Sequence, residues 1–254
     1  MLLASLPGVA HAAPRPHTVG TSSVVLHVPV LEYHRFLPSA AEVRAKRGYD
    51  VTPTEFDAQL TALQQAGWHT ITASTLARDL QAGTPPPAHT FVITIDDGYS
   101  DGYTEALPVL QRHGMVATYF IIGGRIGDHP RPDAVSLDAA QIQALAKAGM
   151  EIGNHTDHHV HLGQLSARVQ RREIRTASTR LTAITGARPV TMAYPFGSYN
   201  ADTPAAAAGA GIMLAFDSHH AAVETWAGRY SVPRLRVGPS VSGTQLVAML
   251  AAAA

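Results

Sequence analysis

The sequence predicts an α/β fold in which a parallel sheet is covered by helices on both faces or closes into a barrel. Two patterns predict it. Short apolar, β-branched runs alternate with helical stretches of roughly ten to twenty residues, the length a parallel crossover needs. The clusters of Asp, His and Gly fall directly after the apolar runs, where such folds collect their chemistry at the carboxyl ends of strands. At 254 residues, 46% hydrophobic and 15% charged, the chain can bury a core without metal or disulfide staples. No internal repeat or linker interrupts residues 24–250, so a single domain is expected.

Met1–Ala12 (MLLASLPGVAHA) is apolar and ends in a small-x-small triplet, Ala10-His11-Ala12, resembling a secretory cleavage site that lacks its basic n-region. It reads as a truncated signal peptide over 1–12, with a flexible leader over 13–23 and the folded domain over 24–254. Export to the medium or cell envelope is the expectation. The first strand is expected over Val24–Tyr33. After a polar loop, Thr52-Pro53-Thr54-Glu55 forms a capping box with proline at the first helical position. The helix it opens carries Phe56, Leu60, Leu63 and Ala66 on one face and ends at Gly67. A short strand His69–Ile71 and a short helix Ala73–Gln81 precede the break Gly83-Thr84-Pro85-Pro86-Pro87. Further strands are predicted at Thr90–Ile95, Val116–Ile122, Met150–Gly153, Val190–Tyr194 and Ile212–Phe216. Helices are predicted near Asp101–His113, Asp138–Ala148, Ser166–Thr185 and Asn200–Ala208, with Gly149 and Gly186 as C-caps. The alanine-rich tail, 248–254, reads as a helix end.

Charge and composition narrow the function. Lys+Arg and Asp+Glu balance at 19 each, which argues against nucleic acid or an anionic membrane as the partner. No stretch approaches the roughly 20 apolar residues of a bilayer span. Fourteen histidines against no cysteine means that any transition-metal site must use imidazole and carboxylate.

Two clusters could supply such a site. Thr94-Ile95-Asp96-Asp97-Gly98-Tyr99 ends an apolar strand in two adjacent carboxylates, which leave the backbone in divergent directions and so suit two different jobs. Helix capping by Asp97 or Asp101 is the plainer reading. Gly153-Asn154-His155-Thr156-Asp157-His158-His159-Val160-His161 packs four histidines into seven residues. His155 and His159, four apart, would share one side of a helical turn and suit a divalent metal, although spacing alone leaves His158 and His161 in competition. Joined, Asp97, His155 and His159 make a two-histidine, one-carboxylate site, with Asp96 left to take a proton from water. No HExxH, GxSxG, Walker A or GxGxxG motif offers rival machinery.

These residues resemble the polysaccharide deacetylase family, the NodB-homology domain of carbohydrate esterase family 4, over roughly residues 28–250. The TFDDG-type first motif matches Thr94–Gly98, where the resemblance implies the first Asp as base and the second as metal ligand. The H-S/T-x-x-H motif matches His155–His159 and selects His155 and His159 over their neighbours. The resemblance implies a distorted (β/α)7 barrel, with residues 24–254 as its catalytic domain. It also implies metal-dependent deacetylation of a glycan, with one divalent ion, zinc foremost and cobalt or nickel as alternatives. Pro29-Val30-Leu31-Glu32-Tyr33-His34 and Met192-Ala193-Tyr194-Pro195-Phe196-Gly197 are similar to the branch acting on poly-β-1,6-N-acetylglucosamine. Other branches place an arginine at Ala193, where it holds the base. Val232-Pro233-Arg234-Leu235-Arg236-Val237 is similar to a late strand of the same branch, and Arg234 is expected to take over beside Asp96. Tyr194, Pro195 and Phe196 are expected to meet substrate, with the Phe196 N–H serving the oxyanion. The late motif that supplies a general acid elsewhere is missing. His34, His219 and His220 stand as replacements, His34 first because it ends a strand. Tyr99, Tyr103, Tyr194, Phe196 and Trp226 are candidates to stack on sugars. Peptidoglycan, xylan esters, a small amide or a glycan-binding pseudoenzyme are the alternatives. No protein partner is indicated.

Overall fold

The structure, a computed structural model, describes residues 25–39, 49–129, 134–218 and 224–254. The signal-like segment 1–12, the leader 13–23, His219 and His220 lie outside the described residues. The expected first strand is two. β1 (Val25–Leu26) pairs antiparallel with β11 (Glu224–Thr225), and β2 (Val30–Tyr33) enters the main sheet. Pro29 separates them, since it has no N–H to give a ladder and uses only its carbonyl, which accepts from Val92. β3 (Arg35–Phe36) and β4 (Asp50–Val51) form a small parallel pair of their own.

The main sheet is parallel throughout. Its order runs β10 (Leu214–Phe216), β9 (Thr191–Ala193), β8 (Glu151–Asn154), β7 (Thr118–Ile121), β6 (Thr90–Ile95), β2 and β12 (Leu235–Arg236). β5 (His69–Ile71) takes the first residues of β6, on an edge that β7 joins at Thr94 and Ile95. Phe216 bridges Val232, and the segment that Val232 opens becomes β12 beside β2. Seven parallel strands thus curl into a distorted (β/α)7 barrel closed at one narrow seam. β6 is buried at every residue, as a strand covered on both faces must be.

The helices follow their sequence signals closely. α1 (Pro53–Gln65) opens on the Thr52/Glu55 capping box, and α2 (Ala73–Ala82) on Thr72. α3 (Leu107–Arg112), α4 (Ala139–Lys147), α5 (Ala167–Thr185), α6 (Thr203–Gly209) and α7 (Gly243–Ala253) complete the set. The expected helix from Asp101 departs from regularity. Residues Gly102–Ala106 form a π turn, with Leu107 N–H reaching back to Gly102 O. Pro108 has no N–H to offer Thr104, so the ordinary ladder cannot continue through it. Phe56, Leu60 and Leu63 of α1 meet Leu246 and Leu250 of α7 in the same core as Leu31, Ile93 and Ile95 of the sheet. That core holds the strand ends in place. Among the described residues, no helix is long and apolar enough to cross a membrane.

Candidate active site

Asp96 and Asp97 follow the last residue of β6, and their side chains part company at once. Asp97 has φ 72° and Gly98 φ 68°, two successive left-handed residues that turn the chain sharply. Aspartate tolerates this region better than most residues. Gly98 is needed for a second reason, because a Cβ there would come within 3.1 Å of Ile121 Cγ2.

Asp96 is 2% exposed and lies against Arg234, itself buried. Arg234 donates from Nη1 to Oδ1 and from Nη2 to Oδ2, both at 2.8 Å. It also donates to Thr94 Oγ1 at 3.0 Å and to the Asp217 carbonyl at 2.9 Å, so its plane is fixed on three sides. Burial pushes the Asp96 carboxyl upward, but the Arg234 charge overcomes it and holds the group below its ordinary value. Glu32, buried on β2, closes the network from behind. Its Oε2 lies 3.6 Å from Arg234 Nε and its Oε1 3.3 Å from Arg236 Nε. His34 Nε2 is 3.8 Å from Glu32 Oε1, its ring 5.6 Å from that of Tyr49. Glu32, His34 and Asp96 thus form one polar group, Glu32 and Asp96 buried and His34 half-buried.

Asp97 faces two imidazoles and no guanidinium. Its Oδ1 is 3.4 Å from His155 Nε2 and 3.1 Å from His159 Nε2, yet neither contact has hydrogen-bond geometry, and the oxygen has no hydrogen-bond partner among the described residues. Burial raises its pKa, but the two histidines outweigh that and hold it well below the ordinary range. The His155 Nδ1 sits 2.8 Å from the Ala193 carbonyl. A carbonyl only accepts, so Nδ1 carries the proton and Nε2 turns a lone pair towards Asp97. Burial lowers the His155 pKa, but Asp97 and Asp96 carry the net shift upward; at His159 burial prevails and the shift is downward. An orphaned carboxylate oxygen between two imidazole Nε2 atoms is a donor set that fits a divalent cation. The three ligand atoms lie within 4.8 Å of one another.

The second histidine arrives by a route that spacing did not predict. Residues 155–161 form no helical turn: Thr156 and His159 have φ of 63° and 55°, left-handed both. The loop is held instead by side chains. Asn154 Oδ1 accepts from Thr156 N–H at 2.8 Å, and Thr156 Oγ1 from His159 N–H at 3.0 Å. Asn154 is in turn clamped to α5 through the Ile174 carbonyl and Ser178. His158 points away to Glu173 at 3.0 Å, and the His161 ring stacks on Phe196. Neither joins Asp97.

The remaining predicted residues divide. Phe196, in a tight turn over Pro195–Gly197, has φ 60° and is 59% exposed, its ring 4.5 Å from that of His159. Tyr194 is a correction: its ring is wholly buried and its hydroxyl donates to the Tyr230 carbonyl, so it cannot meet a sugar. Pro195 is buried too. Tyr99 lies under the Arg35 guanidinium, Tyr103 packs on the core, and Trp226 packs on Arg229 and the core. Asp101 does not cap the following helix; it accepts from Arg35 and from the Phe36 N–H. Glu32 and Asn154 were missed as site residues. A glutamate in the apolar run VPVLEY was the available signal for the first.

The family model described as polysaccharide deacetylase matches residues 83–215. YxkH of Bacillus subtilis (strain 168) is 30% identical over 217 residues, covering 85% of this chain and 74% of that protein. The poly-β-1,6-N-acetyl-D-glucosamine N-deacetylase of Staphylococcus aureus is 24% identical over 229 residues, 82% of this chain and 77% of its own. Among solved structures, Streptococcus pyogenes deacetylase PplD in complex with acetate superposes with TM-score 0.80 at 27% identity, over 88% of this chain and 97% of that one.

Proposed function

The chain belongs to the polysaccharide deacetylase family, and on that premise we propose that it is a metal-dependent hydrolase removing N-acetyl groups from an N-acetylglucosamine-containing polysaccharide outside the cytoplasm. The observation that carries this reading is the division of labour at 96 and 97: one carboxylate locked on a guanidinium, its neighbour aimed with two imidazoles at a common point. A divalent ion on Asp97, His155 and His159, zinc foremost and cobalt or nickel as alternatives, would acidify water and polarise the acetamide carbonyl.

The protein's own groups do the rest. Asp96, kept ionised by Arg234, takes the proton of the attacking water; each of its oxygens retains a lone pair beyond the one Arg234 uses. Arg234 is a positioning residue that fixes the carboxylate plane. The Phe196 N–H donates to the oxygen that gains charge, a contribution often worth about 3 kcal/mol. The C–N bond then breaks, the glycan nitrogen takes a proton from His34, and acetate departs. Glu32 Oε1 faces His34 Nε2 at 3.8 Å. The Phe196 ring, exposed beside His159, offers a face for a sugar.

The substrate assignment draws on the Staphylococcus aureus relative and on the Pro29–His34 and Met192–Gly197 segments, which favour a β-1,6-linked chain. The test is acetate release from β-1,6- and β-1,4-linked N-acetylglucosamine oligomers, with protein stripped of metal and then reconstituted with zinc. Metal-restored release, faster on the β-1,6 oligomer, is the expected result. Silence on both with zinc bound would overturn the reading in favour of another acyl substrate or a glycan-binding role.

A further inference from the structure

The balanced net charge conceals a local imbalance on α5. Arg168, Arg171, Arg172 and Arg175 recur at the three- and four-residue spacing that places side chains on one helix face, and all four are exposed. They line an open groove of about 350 Å³ together with Thr176. None of the four guanidinium groups has an ion-pair or hydrogen-bond partner among the described residues, and the first turn holds no acidic residue. The helix has one glutamate, Glu173, and it is buried and turned to His158.

Two electrostatic penalties follow. Arg168 and Arg172, and Arg171 and Arg175, are like charges four apart, which disfavours the helix. They also crowd its amino-terminal half, where the macrodipole is positive and favours anions. An external anion would relieve both penalties together. The location is suggestive in its own right. α5 follows the loop carrying His155 and His159, and Asn154 at the end of β8 bonds the Ile174 carbonyl. The first two turns therefore stand beside the carboxyl end of the barrel, on the flank of its mouth. From Arg168 to Arg175 the helix rises roughly 10 Å, enough to span more than one charge of a polymer.

We propose that this face of α5 docks a phosphate-bearing polysaccharide, so that the glycan deacetylated here is, or is joined to, a polyanion. The proposal rests on the deacetylase reading for the word glycan. Guanidinium favours phosphate because its planar fork donates two parallel hydrogen bonds. A membrane surface fits less well, since interfacial helices present apolar side chains beside their basic ones, and the apolar side of α5 (Ile174, Ala177, Leu181) is buried against the barrel.

The test uses the full zinc-loaded chain and a variant with Arg168, Arg171, Arg172 and Arg175 all replaced by Gln, which keeps helix propensity. Fluorescein-labelled poly(glycerol phosphate) is titrated by anisotropy, alongside phosphatidylglycerol vesicles and turnover of a neutral N-acetylglucosamine oligomer. The expected result is binding of the polymer that weakens at least about tenfold in the variant and again in high salt, with turnover of the neutral oligomer within about twofold. Equal polymer binding by both proteins, or arginine-dependent binding of vesicles but not polymer, would overturn the proposal. Arginine-dependent polymer binding by a protein that releases no acetate would support the docking face and overturn the deacetylase reading instead.

Discussion

The two ends of the barrel both hold carboxylates, and they treat them in opposite ways. At the amino end Glu151 opens β8 with each oxygen satisfied by neutral donors. Oε2 accepts from the Ser74 N–H at 2.8 Å and from Thr118 Oγ1 at 3.0 Å, and Oε1 accepts from Thr191 Oγ1 at 2.6 Å. It sits at the amino terminus of α2, where the helix dipole favours a negative charge. It ties the first residues of β7, β8 and β9 to that helix. At the carboxyl end Asp97 Oδ1, Glu32 Oε2 and His34 Nδ1 are buried without hydrogen-bond partners among the described residues. Unmet polar groups cost stability, so a fold keeps them only where they have other work. The amino end ties strands to a helix, and the carboxyl end leaves polar atoms unmet.

That contrast can be broken in graded ways. The largest effect is expected at the carboxyl end: Asp96→Asn should lower acetate release by about 10²–10⁴. Bound zinc, measured by metal analysis, should persist in that variant. His155→Ala should lose both zinc and turnover, whereas the metal-free melting temperature stays close to that of the parent. A large drop in that temperature would make His155 structural and erase the distinction between the two ends.

Arg234 lies between the two cases, because its pairing with Asp96 is buried. Arg234→Met should destabilise by about 3–5 kcal/mol in denaturant titration, since it strands a buried carboxylate. Adding Asp96→Asn should recover part of the loss, a coupling that additive residues would not show. At the amino end Glu151→Ala should cost about 1–3 kcal/mol by stranding the Ser74 N–H and two hydroxyls. The folded fraction should turn over like the parent. A selective fall in kcat there would mean that the bottom network also sets the geometry of the mouth. The smallest effect belongs to the exposed Phe196 ring: Phe196→Ala should raise KM by a factor matching about 1 kcal/mol of lost stacking and leave the melting temperature unchanged.

The sequence carried the fold well where its signals are local. The Thr52/Glu55 box, the α5 span and the β6 core strand follow from capping chemistry and periodicity, and they stand within a residue or two of their expected bounds. It failed where one residue interrupts a pattern through its backbone, as Pro29 divides the first strand and Pro108 accompanies the π turn. Tyr194 departed from expectation for another reason. Periodicity does not tell a buried ring at a strand end from an exposed one, and Tyr194 and Phe196, two apart, went opposite ways.

What the sequence determined by itself was the inventory: two carboxylates at a strand end, a histidine-rich loop after another, and a parallel α/β frame to bring such loops to one edge. Those are short-range facts, set by residue type, spacing and crossover length. The tertiary structure decided which groups meet. Arg234 reaches Asp96 from 138 residues away because the barrel closes β12 beside β2. His159 joins His155 through two left-handed residues clamped by Asn154 to α5, not through a helical repeat. Partnership across such distances depends on register and closure, which are properties of the packed whole that no local stretch of chain encodes.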